Sequence, residues 1–259
     1  MKITVLTENT ALRPDLLAEH GLSLYIETQT HRILFDAGQT DAFSKNAEKL
    51  GVDLKAVDFC VLSHGHYDHG GGLKRFLEIN DHAPVYLSRH AFGEYFSSGK
   101  YIGLDPKLEN HPRLIPVGDV LEIVPGMTLI SCNDLLRPFS FGVFGQSVRK
   151  NGIHQDDAYL HEQYLLVEEN GQKFCFSGCS HKGVLNILHW FRPDVFFGGF
   201  HFIRMDPEGR ELAEAARKLQ AFPTRYFTGH CTGDEQYAAL KETLDHRLEY
   251  LHTGTVIEL

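Results

Sequence analysis

The chain has 259 residues, 42% of them hydrophobic, and a formal net charge of -9 with histidine counted as neutral. This length and apolar content predict one globular domain over residues 1–259, and the acidic balance excludes the basic footprint of a general nucleic-acid or membrane-surface binder. No stretch approaches transmembrane length, and the opening residues read as a strand rather than a leader. Cys60, Cys132, Cys175, Cys179 and Cys231 form neither a paired framework nor a CxxC element, which predicts a reducing, cytoplasmic setting.

In chain order, residues 3–6, 22–27 and 32–35 are short apolar or β-branched runs, with Gln29-Thr30 as a tight turn between the last two. Asp36 ends the third run. It is either an ordinary turn aspartate or, if the sheet places it beside the histidines that follow, a carboxylate that supports a metal ligand from behind. A short helix is expected around residues 43–50, then a buried strand at 57–62. Directly after it comes Ser63-His64-Gly65-His66-Tyr67-Asp68-His69-Gly70-Gly71. Four potential metal ligands stand within six residues here, and the glycines allow the bend that brings them to a shared site.

A helix from Leu73 and a strand at 84–87 follow. Residues 89–157 show little periodicity apart from a strand pair at 120–124 and 127–131; Phe139, Phe141 and Phe144 are expected to pack in the core, with a pocket-lining or lid segment as the alternative. Strands at 164–168 and 173–176 flank the hairpin turn Glu169-Asn170-Gly171. Three further strand ends then deliver one histidine each. These are Ser177-Gly178-Cys179-Ser180-His181, Gly198-Gly199-Phe200-His201 and Thr228-Gly229-His230-Cys231-Thr232-Gly233. The helices after them are expected to begin with a Ser180 cap, with Asp206-Pro207, and with a Thr232/Glu235 capping box.

The histidine loop could fill one site with His64, His66 and a distal histidine, and a second with Asp68, His69 and another. Each set has three protein ligands and an open position, the arrangement of a catalytic metal.

His64-Gly65-His66-Tyr67-Asp68-His69 matches the H-x-H-x-D-H motif, and the chain resembles the metallo-β-lactamase superfamily over nearly its whole length. The resemblance implies an α+β, four-layer αβ/βα sandwich with one or two divalent metals, zinc first, iron or manganese also admitted. By the family motif, His64 and His66 would hold the first metal and Asp68, His69 and His230 the second. No P-G-H-T element appears near residues 129–133, and Ser177-Gly178-Cys179 has no Asp where many relatives place a bridge. His181 is assigned to the first metal instead. Cys179 is expected beside the ligands, as a structural thiol or a soft substitute ligand.

The G-C-S-H-x-G, G-G-F-H and H-C-T-G segments resemble the branch named for 7,8-dihydropterin-6-methyl-4-(β-D-ribofuranosyl)aminobenzene 5'-phosphate synthase. This implies an enzyme acting on a phosphate-bearing small molecule, with a pterin as the partner in a transfer reaction. Phosphodiester or phosphomonoester hydrolysis is the alternative, and a nonenzymatic metal-containing binding protein the reading from another class. His201 is a candidate proton donor or substrate binder, with a pKa near neutrality if unligated, while direct ligation or a structural role stay open. Thr232 and Gly233 are candidates for binding an anion at the following helix N-terminus.

Overall fold

Phe196 and Phe197 are neighbours in one strand and must point to opposite faces of their sheet. Phe197 enters a seam between two seven-stranded sheets, and Phe196 packs against helices on the outside. This parity, repeated along the strands, produces the layers seen in the computed structural model, which describes residues 1–140 and 145–259.

The first sheet runs in the order Val256–Glu258, Lys2–Thr7, Ser23–Glu27, Arg32–Phe35, Phe59–Val61, Val85–Ser88, Leu114–Val117. The second runs Leu248–Tyr250, Arg225–Thr228, Val195–Phe197, Gln172–Phe176, Tyr164–Glu169, Met127–Ile130, Val120–Val124. The seam between them is apolar, with Ile3, Val5, Phe35 and Val61 from one side meeting Leu129, Leu165, Phe176 and Phe227 from the other. Phe176, Phe197 and Phe227 form a stacked ladder with centroid separations of 4.9 and 4.7 Å. Helices Ala42–Leu50 and Leu73–Ile79 cover the first sheet through Phe43, Ala47, Leu73 and Phe76. Val184–Phe191, Arg210–Gln220 and Asp234–Leu244 cover the second through Leu185, Leu188, Leu212, Leu219 and Leu240. Helix, sheet, sheet, helix is the expected α+β sandwich, with parallel and antiparallel pairings mixed in each sheet.

The hairpin turn has the predicted geometry. Glu169 pairs with Gln172 around a two-residue loop in which Asn170 and Gly171 both have positive φ, 53° and 75°. The predicted helix starts do not hold. Ser180 Oγ pairs with Ser177 Oγ instead of capping, the Asp206 carboxylate is spent on the Glu208 N–H while its helix begins at Arg210, and Gly233 precedes the last helix without a side-chain cap.

Residues 89–157 hold more order than their composition suggests. Ile153–Asp156, Gln146–Lys150, Glu94–Ser97 and Lys100–Tyr101 form a third, four-stranded antiparallel sheet. Phe139 packs at the edge of the helical core, as expected by default; Phe141 and Phe144 lie outside the described residues.

Candidate metal centre

Parallel pairing aligns the strands so that their carboxyl ends share one edge. Arg32–Phe35 pairs with Phe59–Val61, and Gln172–Phe176, Val195–Phe197 and Arg225–Thr228 pair in series. The loops leaving these ends carry Asp36, His64–His69, Cys179–His181, His201 and His230, so residues distant in sequence converge between the two sheets. Gly178 permits one close approach: a Cβ there would collide with the Ser63 hydroxyl and crowd His64 Nδ1.

Asp36, fully buried, organises the first loop. Its Oδ1 accepts from Ser63 N–H at 2.7 Å, and its Oδ2 from Ser63 Oγ at 2.7 Å and His69 Nδ1 at 2.6 Å. Because the Ser63 hydroxyl proton goes to Asp36, Ser63 Oγ must accept from His64 Nδ1, 2.8 Å away. His230 Nδ1 likewise donates to Asn9 Oδ1 at 2.9 Å. In all three histidines the Nδ1 proton is committed, so in the neutral ring Nε2 is the nitrogen that keeps a lone pair.

Those lone pairs converge. His69 Nε2 and His230 Nε2 stand 3.2 Å apart, as do His64 Nε2 and His181 Nε2. Two ring nitrogens bound to one tetrahedral zinc would be about 3.3 Å apart. Facing lone pairs at this distance repel unless a cation shares them, and His66 Nε2 and His181 Nδ1 are buried with no hydrogen-bond partner. Asp68, His69, Cys179 and His230 each bring a donor atom within 4.8 Å of the others, and so do His64, Cys179 and His181. The donors fit divalent metal, on one or two positions. Burial holds His64, His66 and His181 well below the ordinary imidazole value and drives His230 down to about 4, so these rings are in the neutral form that ligates. Burial opposes charge on His69 as well, yet Asp36 and Asp68 lift it above that value, so the pocket favours positive charge there.

A third group, His66, Asp157 and His161, has similar spacing. Here His161 is already spent, since Nδ1 accepts from Gly65 N–H at 2.9 Å and Nε2 donates to Asp157 Oδ2 at 3.1 Å.

Several working residues carried no sequence signal. Glu162 accepts the His181 N–H at 2.6 Å, the Lys182 N–H at 2.9 Å and the Tyr164 hydroxyl at 2.6 Å. Glu8 takes the His230 N–H at 2.6 Å. His181 and His230 are thus each held through the backbone by a buried glutamate from another segment. His20, exposed on the loop after the first strand, reaches Asp68 Oδ2 at 3.3 Å. None of these contacts follows from local spacing.

The donors open onto a cleft of about 510 Å³. His66, Asp68, Cys179, His181, His201 and His230 line it together with two cationic side chains, Lys100 and Arg204. His201 sits beside His181, ring centroids 4.4 Å apart, and belongs to none of the donor groups among the described residues. Its expected near-neutral titration is corrected: burial, with His230 and the Arg204 guanidinium nearby, pushes it down to about 4. Thr232 is also corrected. It is fully buried, with Oγ1 accepting from Phe200 N–H and paired to Thr228, so it ties loops together rather than facing an anion. Gly233, at φ 86°, turns the chain into the last helix and is not part of the cleft wall.

A family model described as the metallo-beta-lactamase superfamily matches residues 17–128, a segment that contains the histidine loop. An uncharacterized protein of Methanocaldococcus jannaschii is 29% identical over 98% of this chain and 99% of its own length. From the same organism, 7,8-dihydropterin-6-methyl-4-(beta-D-ribofuranosyl)-aminobenzene-5'-phosphate synthase is 26% identical over 100% and 96%. Among solved structures, Tm1679, a metal-dependent hydrolase of the beta-lactamase superfamily, covers 100% of this chain and 99% of its own with a TM-score of 0.83 and 27% identity. With sandwich, strand-end loops and likeness running the length of the chain, the protein has the metallo-β-lactamase-type α+β sandwich fold, and its residues 17–128 match the superfamily's model.

Proposed function

We propose that the protein is a metal-dependent phosphoesterase acting on a small phosphomonoester or phosphodiester. The observation that carries this reading is the pair of buried donor groups whose unshared lone pairs open, through one cleft, toward Lys100 and Arg204. Support comes from the similarity to a metal-dependent hydrolase and to a synthase whose named product is a 5'-phosphate.

In this reading His64, His66 and His181 hold one metal, and Asp68, His69 and His230 the other. Divalent metal supplies Lewis acidity there, lowering the pKa of water and offsetting charge that develops on phosphoryl oxygens. Asp36 fixes the His69 ring and Asn9 the His230 ring, so their nitrogens are aimed before substrate arrives. Glu162 and Glu8 anchor the two distal loops. Lys100 and Arg204 neutralise the anionic end of the substrate in a molecule that is otherwise acidic, and His201 offers a neutral imidazole to a substrate oxygen in the cleft. The whole chain, residues 1–259, acts as one catalytic domain.

A second reading is a synthase reaction of the kind named for the 26% relative, whose product joins a dihydropterin to a ribofuranosyl aminobenzene phosphate. Purified, metal-loaded protein tested against a panel of phosphomonoesters and phosphodiesters, and separately against the dihydropterin pair, decides between them. Phosphate-ester cleavage without a coupled pterin product is expected. A coupled product with no ester cleavage would establish the transferase instead, and inactivity in both assays would leave the nonenzymatic binding class.

A further inference from the structure

We infer that the third sheet forms a second subsite of the cleft, a row of hydrogen-bond donors from Gln146, Ser97 and Lys100 that takes an oxyanionic group of the substrate remote from the phosphate at the metal donors. The substrate is thereby narrowed to phosphoesters that carry a second anionic group. Strand register brings the three residues together. Gln146 stands opposite Ser97, and Ser97 opposite Lys100, in antiparallel pairing, so their side chains lie side by side on one face of the sheet. Parity identifies that face. Tyr95, two residues before Ser97, has its ring 3.9 Å from that of His161 and 5.8 Å from that of His66, whereas Phe96 lies on the opposite face with Tyr101, His154 and Arg149. Gln146, Ser97 and Lys100 accordingly line the cleft that the metal donors enter. This end of the sheet is held in place: Ser98 and Gly99 form a two-residue loop with φ 48° and 78°, and Ile102 O accepts the Tyr67 N–H of the histidine loop at 2.9 Å.

Tyr159 sets the polarity of the row. Its hydroxyl donates to Gln146 Oε1 at 2.9 Å, which leaves the amide N–H groups as the end of Gln146 that serves the cleft. The Tyr159 ring stacks on His181, centroids 4.7 Å apart and planes 8° from parallel, so one residue fixes both Gln146 and a donor histidine. Amide, hydroxyl and ammonium then all offer donors. The Arg204 guanidinium reaches the same end of the sheet, since a Cβ at Gly145 would stand 3.5 Å from its Nη1. A neutral or apolar substituent would leave this row without an acceptor, while an oxyanion accepts from several of its members at once, with charge assistance.

The subsite rests on the phosphoesterase reading above, and uncleavable phosphonates test the two separately. Metal-loaded protein is titrated by calorimetry with alkane α,ω-bisphosphonates of increasing chain length and with the matching monophosphonates, in wild type, Gln146→Leu, Gln146→Glu, Lys100→Met and Tyr159→Phe. In wild type the best-fitting bisphosphonate is expected to bind about tenfold tighter than its monophosphonate, as befits added charge-assisted hydrogen bonds. The ratio is expected to fall in Gln146→Leu and Lys100→Met, and further in Gln146→Glu, where a negative charge replaces a donor. Tyr159→Phe, which keeps a ring beside His181 but releases Gln146, is expected to lower it too. A purely structural role for these residues would move both affinities together and leave the ratio unchanged. Circular dichroism identifies any variant that fails to fold, and the near-isosteric Gln146→Glu and Tyr159→Phe keep the test decisive if another does. A wild-type ratio near one at every chain length, or a ratio that survives in folded Gln146→Glu or Lys100→Met, overturns the subsite alone. The expected ratios in a protein that cleaves no phosphate ester would overturn the phosphoesterase reading and retain the subsite, and wild type that binds neither probe overturns both.

Discussion

Asp36 sits 33 residues from His69 in sequence, yet its Oδ2 accepts from that ring at 2.6 Å and settles which nitrogen faces the cleft. Asp36→Asn keeps the size but places an amide where two donors, Ser63 Oγ and His69 Nδ1, need an acceptor. Metal affinity is expected to fall roughly 10–100-fold, as for other carboxylates that orient a ligating histidine, measured by competition with a chelating dye. Glu162→Gln tests the clamp on His181. Loss of charge-assisted bonds to two buried N–H groups and a buried hydroxyl is expected to cost about 2–4 kcal/mol in urea unfolding, with metal affinity reduced as well. The candidate donors were legible because His64, His66, Asp68 and His69 share one short loop, and because three later strand ends repeat the same histidine-bearing pattern. Of the residues behind them, Asp36 was named as a candidate from its place at a strand end, while the two glutamates were not. Glu8 meets His230 across 222 residues and Glu162 meets His181 across 19, and an isolated glutamate at a strand boundary carries no sign of which backbone it will hold.

At the scale of elements, the sandwich depends on strands whose alternate residues serve different layers. Phe197 stacks on both Phe176 and Phe227 in the seam, so Phe197→Ala opens a cavity at the centre of the ladder and is expected to destabilise the fold by about 3–5 kcal/mol in denaturant titration. The principal strands, the Asn170-Gly171 turn and five of the helical segments were readable from apolar runs and turn chemistry. The third sheet was not. Lys100–Tyr101 and Ile153–Asp156 are exposed along their length, so they show no alternation of buried and solvent-facing residues. The helix starts failed for a related reason: Ser180 and Thr232 are good capping residues taken out of play by the tight loops that aim His181 and His230.

For the molecule as a whole, the buried imidazoles and carboxylates at the sandwich edge cost stability until a cation shares them. Metal that binds the native fold alone stabilises it, by about 2.7 kcal/mol at a free concentration one hundred times its Kd. Chelation is therefore expected to lower the melting temperature measured by calorimetry, and re-addition of zinc to restore it. The net charge of -9 adds a global field that attracts divalent ions and repels anions, against which Lys100 and Arg204 at the cleft give a local exception. The most direct measurement of the central claim is phosphate-ester turnover followed while apo-protein is titrated with divalent metal, in wild type and His69→Ala. Turnover absent from the apo-protein, rising to a plateau as metal binds and flat throughout in the variant is the predicted result. Equal turnover before and after metal addition, or a plateau in His69→Ala matching that of wild type, would contradict a catalytic metal centre at this loop.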